Sequence, residues 1–399
     1  MNFDGPYSLY IHIPFCRHRC GYCDFNTYAG QEELIEAYIS ALCREIDLAA
    51  ASAGEAVTAH TVFLGGGTPS LLPVVQIERV LNTIRRSFRL LPEAEISLEA
   101  NPGTLSPKYL QDLRLVGVNR LSLGVQSANP TELRLLERQH EFGDVIRAVT
   151  WARRAGFDNL NLDLIFGLPG QRLETWQRTL ENALRLNPDH LALYALTLEH
   201  GTPFGRWAER GLLAEPDPDV AAGMYELASE WLAEGGFEQY EISNWGRRMP
   251  GGDVLACRHN LQYWRNLPYL GFGAGAHGYA ADFRTANVLA PAAYIRRCNS
   301  SWDPKSAFPR TPATNSLETI AEKTEMGETM MMGLRLTREG VGEEIFLRRF
   351  GRSLEAVYGQ EIGKLQELGL LEWAGNGKRR LRLTPRGRLL GNQVFYRFI

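Results

Sequence analysis

Ser8-Leu9-Tyr10-Ile11-His12-Ile13 is a short β-rich run that leads straight into Pro14-Phe15-Cys16-Arg17-His18-Arg19-Cys20-Gly21-Tyr22-Cys23. A strand ending in a cysteine-bearing loop sets the pattern for the next two hundred or so residues. Further β-rich runs lie at Thr61 to Leu64, Glu95 to Glu99, Arg120 to Gly124, Asn159 to Ile165 and His190 to Ala195. Segments of helical period separate and follow them, at Glu32 to Ala49, Val74 to Phe88, Pro107 to Val116, Asp144 to Ala155, Leu173 to Leu186 and Val220 to Ala233. Strict β then α repetition predicts an α/β fold with a parallel sheet and right-handed crossovers, and six repeats suit an incomplete (β/α)6 barrel better than a closed eightfold one.

Unusual residues gather just past the strands. The second run enters Gly65-Gly66-Gly67-Thr68-Pro69, the third Glu99-Ala100-Asn101-Pro102 and the fourth Gly124-Val125-Gln126-Ser127. The fifth carries Asp163 and ends in Gly167-Leu168-Pro169-Gly170, and the sixth ends in Thr197-Leu198-Glu199. In a parallel barrel these ends open on one face, so a single site is expected there.

Working outward, 399 residues predict two or three domains. Hydrophobic residues at 44% and charged residues at 22% exclude a disordered or fibrous chain. With 43 Lys and Arg against 46 Asp and Glu, the net charge of -3 provides no global field for nucleic acid or an anionic membrane. No apolar run approaches the ~18 residues a membrane span needs, and Met1 to Pro6 lacks the features of a signal peptide, so the chain reads as cytoplasmic. Gly235 to about Thr285 reads as irregular, and a polar connection near Ser300 to Pro312 precedes a second domain. There, Glu318 to Leu334, Gly342 to Phe350 and Leu354 to Leu368 read as helices, while Leu370 to Trp373 and Arg380 to Leu383 flank a turn at Gly375-Asn376-Gly377. The expectation is a barrel domain at 1–299 and a smaller winged-helix-like domain at 300–399.

Cys16, Cys20 and Cys23 form C-x3-C-x2-C, bringing three soft thiolates within reach of one metal centre. A structural zinc would want a fourth ligand, and only His18 lies nearby in sequence. Three ligands on a cubane cluster leave one iron open to an exogenous chelator. The three consecutive glycines at 65–67 let backbone approach a ligand closely, although alone they would read as a tight turn. Glu99, Gln126, Arg138 and Asp163 add carboxylates, an amide and a guanidinium at the same barrel mouth.

Tyr10-Ile11-His12-Ile13-Pro14-Phe15-Cys16, Cys20-Gly21-Tyr22-Cys23-Asp24-Phe25 and Gly66-Gly67-Thr68-Pro69 resemble the coproporphyrinogen dehydrogenase-like branch of the radical S-adenosylmethionine (SAM) superfamily, across almost the whole chain. Within it the chain is most similar to the HemW-type heme chaperones. Phe25 stands where the dehydrogenases carry a further cysteine, the cysteine loop begins early, and His259-Asn260-Leu261-Gln262-Tyr263-Trp264 matches the HNxxYW motif of that type. The resemblance implies a [4Fe-4S] cluster on Cys16, Cys20 and Cys23, and SAM held by Tyr10, Tyr22, Gly66, Gly67, Thr68, Glu99, Gln126, Arg138 and Asp163. It further implies heme as bound cargo with His259 as an iron ligand, and acceptor hemoproteins as partners, membrane-bound respiratory enzymes among them. No nucleic-acid partner and no membrane span are expected, while peripheral membrane contact stays open. The rival reading is oxygen-independent oxidative decarboxylation of coproporphyrinogen III on the same cradle.

Three further features are placed outside the site. Gly271-Phe272-Gly273-Ala274-Gly275 lacks the βαβ context and acidic partner of a dinucleotide loop. The basic stretch from Asn376 to Ile399 reads as a solvated hairpin face or a docking face, and Met330-Met331-Met332 as core filler. Cys43 and Cys298 read as isolated thiols, and Cys257, close to His259, as a candidate for heme attachment.

Overall fold

The run at the head of the sequence forms β1 (Tyr7–Ile13), with Leu9, Ile11 and Ile13 wholly buried. A computed structural model of the chain describes residues 5–303, 308–375 and 379–399. After β1 come α1 (Ile35–Ser52), β2 (Thr58–Gly66), α2 (Val74–Ser87), β3 (Arg89–Ala100), α3 (Pro107–Leu115) and β4 (Arg120–Gln126). Then follow α4 (Phe142–Arg154), β5 (Leu160–Phe166), α5 (Leu173–Arg185) and β6 (His190–Ala195). The strands pair in parallel in the order β1-β2-β3-β4-β5-β6. Both faces of such a sheet are covered, so β5 buries six of its seven residues instead of alternating. The helices bury one stripe each: α2 turns Ile77, Val80, Leu81 and Ile84 inward at three- and four-residue steps. Ser106 accepts a hydrogen bond from Tyr109 N–H and Pro107 opens α3, so the sequence itself marks where that helix starts.

The barrel is incomplete because the far edge of β1 is taken by Tyr269–Phe272, which pairs with it in parallel. His277–Ala280 and Phe283–Asn287 then extend the sheet antiparallel. The stretch expected to be irregular is therefore largely regular; its strands are only four or five residues long, too short for their alternation to stand out.

Two compact units result, Met1–Trp231 with Pro268–Glu318, and Leu232–Leu267 with Thr319–Ile399. This differs from the single boundary expected at 299/300. The chain leaves the first unit after Trp231 and returns at Pro268 because Tyr269–Phe272 pairs with β1, whereas Arg258–Trp264 packs on Glu322–Gly333.

The second unit carries helices Glu322–Gly333, Glu343–Phe350 and Leu354–Glu367 and a three-stranded sheet in which Arg380–Leu383 lies between Val341–Gly342 and Leu371–Ala374. This is the winged-helix-like arrangement anticipated, although the strand Thr314–Thr319 replaces the first turn expected of the leading helix. The turn expected at 375–377 falls mostly outside the described residues. Met330 is wholly buried and Met331 packs against the same core, as filler. Arg379 pairs with Glu343 and Glu355, and Arg382 with Glu372, so these two cations of the basic stretch are neutralised within their own unit.

Candidate cluster and cofactor site

The cysteine loop is laid on the end of the sheet by backbone hydrogen bonds. Phe15–Cys16 pairs in parallel with Tyr28–Ala29, closing the loop on itself. The glycine run lies alongside, with Gly67 N–H donating to Ile13 O at 2.8 Å and Thr68 N–H to Phe15 O at 2.8 Å. Gly66 holds φ at +111°, and a Cβ there would come 2.5 Å from the His12 ring. At Gly67 a Cβ would meet three backbone atoms of Ile13, Pro14 and Phe15 at 2.7–2.9 Å. Only glycine permits this approach of one loop to the other.

Cys16, Cys20 and Cys23 are free thiols lining one cavity of about 490 Å³. Each sulfur has at least one polar neighbour, and Cys20 Sγ also donates to Glu137 O at 3.8 Å. Thr68 Oγ1 donates to Cys16 Sγ at 3.6 Å, Arg138 Nη1 reaches Cys20 Sγ at 3.9 Å, and Cys23 Sγ lies 4.0 Å from Thr27 Oγ1. Burial pushes the Cys16 and Cys20 thiols up, opposed by Thr68 and Arg138 respectively. Among the described residues no three His, Cys, Asp or Glu side chains converge as a single metal ion needs. Three all-sulfur donors lining one cavity fit an iron-sulfur cluster.

Gly66, Gly67, Thr68, Glu99, Gln126, Arg138, Asp163 and Tyr22 line the same cavity. Burial, with Asp163 nearby, pushes the Glu99 carboxyl up to about 7. Burial pushes Asp163 up to about 6 against the hydrogen bonds of Asn161 and Ser122 and the charge of Arg120. A cavity wall with two carboxyls held above their usual range favours a cationic ligand. Gln126 sits at φ +68° where the β4–β5 register slips, a left-handed conformation uncommon outside glycine that turns the chain at the cavity. Arg138 donates from Nη2 to Gly124 O at 3.0 Å, while its Nε is buried with no partner, a donor left over for a ligand anion. These groups fit the two ends of SAM.

Tyr10 is placed differently from the expectation. It does not line the cavity; its hydroxyl donates to His12 Nδ1 at 2.9 Å, and His12 Nε2–H in turn donates to Asn26 O at 3.0 Å. The residue acts one layer out, supporting the ring that Gly66 rests on. In the second unit His259 is 1% exposed and bonded to Tyr263 Oη at 2.8 Å, with the rings edge to face at 4.9 Å. Its ring is a buried partner of Tyr263 in this structure. Cys257 is likewise wholly buried.

Several residues that hold the site carry no signal in the sequence. Glu137 Oε2 accepts from Gly21 N–H at 3.0 Å and from His18 Nε2–H at 2.9 Å, while Phe204 N–H donates to Gly21 O at 2.9 Å. The peptide groups of Gly21 are thus gripped from both sides, and a Cβ on it would meet the Phe204 ring at 2.7 Å. Asn26 Nδ2 donates to Ala274 O at 3.0 Å and to Leu289 O at 2.9 Å. Hence the glycine-rich stretch 271–275 does follow a strand, but it serves as a brace for the cysteine loop; an antiparallel strand, not a helix, comes after it.

The family model for the radical SAM superfamily matches residues 10–183, and that for the HemN C-terminal domain matches residues 320–390. A heme chaperone HemW from Mycobacterium tuberculosis is 41% identical over 392 residues, covering 98% of this chain and 94% of the relative. The HemW of Bacillus subtilis is 37% identical over 393 residues, covering 98% and 99%. The chain belongs to the HemW family of radical SAM proteins. The solved structure of coproporphyrinogen III oxidase (HemN) from Escherichia coli superposes with a TM-score of 0.80 over 98% of this chain and 90% of its own, at 24% identity, which speaks to the fold.

Proposed function

We propose that the chain is a heme chaperone that binds heme and passes it to acceptor hemoproteins, with a [4Fe-4S] cluster on Cys16, Cys20 and Cys23 and SAM at the open iron. The observation that carries the reading is near-full-length similarity to proteins named heme chaperone HemW, at 41% and 37% identity. Supporting it, Phe25 is 64% exposed at the cavity rim where the dehydrogenase branch would place a further cysteine.

When bound, the cluster and SAM supply one-electron chemistry that the protein only orients. The chain's own residues divide the work of holding them. The three cysteines supply the thiolates, and Thr68, Arg138 and Thr27 steady them with one polar contact each. Glu99, Asp163, Gln126 and Arg138 take the polar groups of SAM. His259 of the HNxxYW segment is proposed as the heme ligand, its ring hydrogen-bonded to Tyr263 Oη in this structure. Acceptors are proposed to include respiratory membrane enzymes, met from the cytoplasm. Among the described residues no helix is long and apolar enough to cross a membrane.

The test is anaerobic. Cluster-loaded protein receives ferric heme and is mixed with an apo-acceptor, and transfer is followed by the acceptor's absorption and activity. In parallel, the same protein with SAM, a strong reductant and coproporphyrinogen III is assayed for decarboxylated product by mass spectrometry. Transfer without product is the expected result; catalytic product without transfer replaces the chaperone with the decarboxylase.

A further inference from the structure

We infer that His190 and Asn161, two side chains that do not line the cavity, are positioning residues whose hydrogen bonds aim the Asp163 carboxylate at the cofactor. Their role rests on the reading of the cavity as a SAM site. The strand register places Ser122 of β4, Asn161 of β5 and His190 of β6 side by side in one row, and all three are buried. Asp163 stands two residues beyond Asn161, on the same face of β5, and lines the cavity. Donors and acceptors along the row are ordered by that carboxylate. An ionised Asp163 only accepts, so Asn161 turns its Nδ2 to Asp163 Oδ1 at 2.7 Å. The second Nδ2 proton goes to Ser122 Oγ at 2.7 Å, and Ser122 directs its own proton to Asp163 Oδ2 at 3.2 Å. Asn161 Oδ1 therefore faces the other way, 2.6 Å from His190 Nδ1. An amide oxygen has no proton to give, so His190 carries its proton on Nδ1.

Every proton in the row thus points toward Asp163. If the Asn161 amide turned over, its oxygen would oppose the carboxylate and its nitrogen would meet the Nδ1–H of His190, so the imidazole blocks that flip. Aliphatic side chains would fill the same row without burying an imidazole and an amide, whereas a connected polar row fixes a direction. The charges that face Asp163 are Glu99 on β3, Arg120 on β4 and Arg138 beyond β4. His190 on β6 is held neutral, chiefly by burial and also by Arg120. Burial already raises the Asp163 carboxyl, and the Asn161 hydrogen bond is the largest influence opposing it. Without His190 to hold the amide, Asp163 loses its shortest donor and protonates at a higher pH.

Two measurements test this. Nitrogen-15 resonances of the His190 ring in the ligand-free protein report its tautomer: Nδ1–H is expected, and Nε2–H overturns the chain. SAM affinity is then measured on cluster-loaded protein at about pH 6 and about pH 8. His190→Asn places an amide nitrogen where Nδ1 stands and is expected to stay within about twofold of the parent, whereas His190→Gln and His190→Leu are expected to weaken SAM about fivefold or more at the lower pH and less at the higher. In an Asp163→Asn background His190→Leu is expected to add nothing, because it acts through the carboxylate already removed. Iron and sulfide content and far-ultraviolet dichroism establish that each variant is folded and loaded, and where His190→Leu does not fold, the tautomer and the contrast between His190→Asn and His190→Gln decide. Equal losses in all three His190 variants, a loss that adds to that of Asp163→Asn, or no loss at all overturns the positioning role and leaves the SAM site standing. Failure of the parent protein to bind SAM overturns both.

Discussion

Gly66 N–H donates to Glu99 Oε2 at 3.1 Å, tying the end of β3 to the glycine run that ends β2. One carboxylate therefore faces the cavity while it shapes the loop that closes it.

The raised carboxyls give ligand binding a pH dependence. Glu99 at about 7 and Asp163 at about 6 are protonated in part near neutrality in the empty protein. A cationic ligand favours their ionised forms, so binding releases protons and SAM affinity rises with pH up to about 7 and levels off above it, by up to about tenfold for each unit its binding lowers a pKa. Calorimetry in buffers of different ionisation enthalpy reads the proton release directly. Glu99→Gln should flatten the upper part of the profile.

The same groups act on stability with the opposite sense. Both folded pKa values lie above the ordinary ones, so their contribution is full below about pH 4 and is lost progressively as pH rises from there to about 6 for Asp163 and about 7 for Glu99. The melting temperature of ligand-free protein should fall across that window, and less so in Glu99→Gln.

Adding a methyl group at the glycine run should separate strain from chemistry. Gly66→Ala forces a side chain into a positive φ against His12, and Gly67→Ala drives one into backbone. Each is expected to cost about 1–3 kcal/mol in denaturant melts. SAM affinity should fall in both, with the cysteines still able to load iron.

Glu45 makes a purely structural prediction. It is wholly buried in α1 and accepts from Gly273 N–H, Asn287 Nδ2, Tyr294 Oη and Thr311 Oγ1 at 2.5–2.9 Å. Glu45→Ala strands those donors and should cost about 3 kcal/mol or more. Because Gly273 adjoins the Ala274 carbonyl that Asn26 grips, iron should also leave the variant faster under chelator.

Replacing any one of Cys16, Cys20 or Cys23 by Ala should remove the tetranuclear iron signature while leaving the far-ultraviolet dichroism unchanged. Retention of about four irons and four sulfides per chain in Cys23→Ala would point to a ligand outside the loop.

The barrel was legible because its units repeat: six strands and their helices fall within a few residues of where periodicity puts them, since two-sided burial makes each strand continuously apolar. The cysteine loop, glycine run and strand-end polar groups were legible by chemistry and spacing. Tyr10 shares its face of β1 with His12, and the hydrogen bond between them is a contact that spacing alone does not record. Glu137 and Asn26 were invisible for another reason. Their roles depend on partners more than a hundred residues distant, Gly21 for the one and Ala274 for the other, and no local pattern records such a meeting.

β1 is synthesised long before Tyr269–Phe272, the strand that covers its outer edge. At about 5–20 residues per second, roughly 250 intervening residues keep that edge uncovered for tens of seconds on the ribosome. The grip on Gly21 from Glu137 and Phe204 arrives part-way through that interval, and the brace at Asn26 only at its end. The first thiols to leave the exit tunnel are thus among the last to be held in place, so metal is best delivered after translation is complete, and growth conditions that slow elongation should lower the fraction of chains that leave the ribosome competent to be filled.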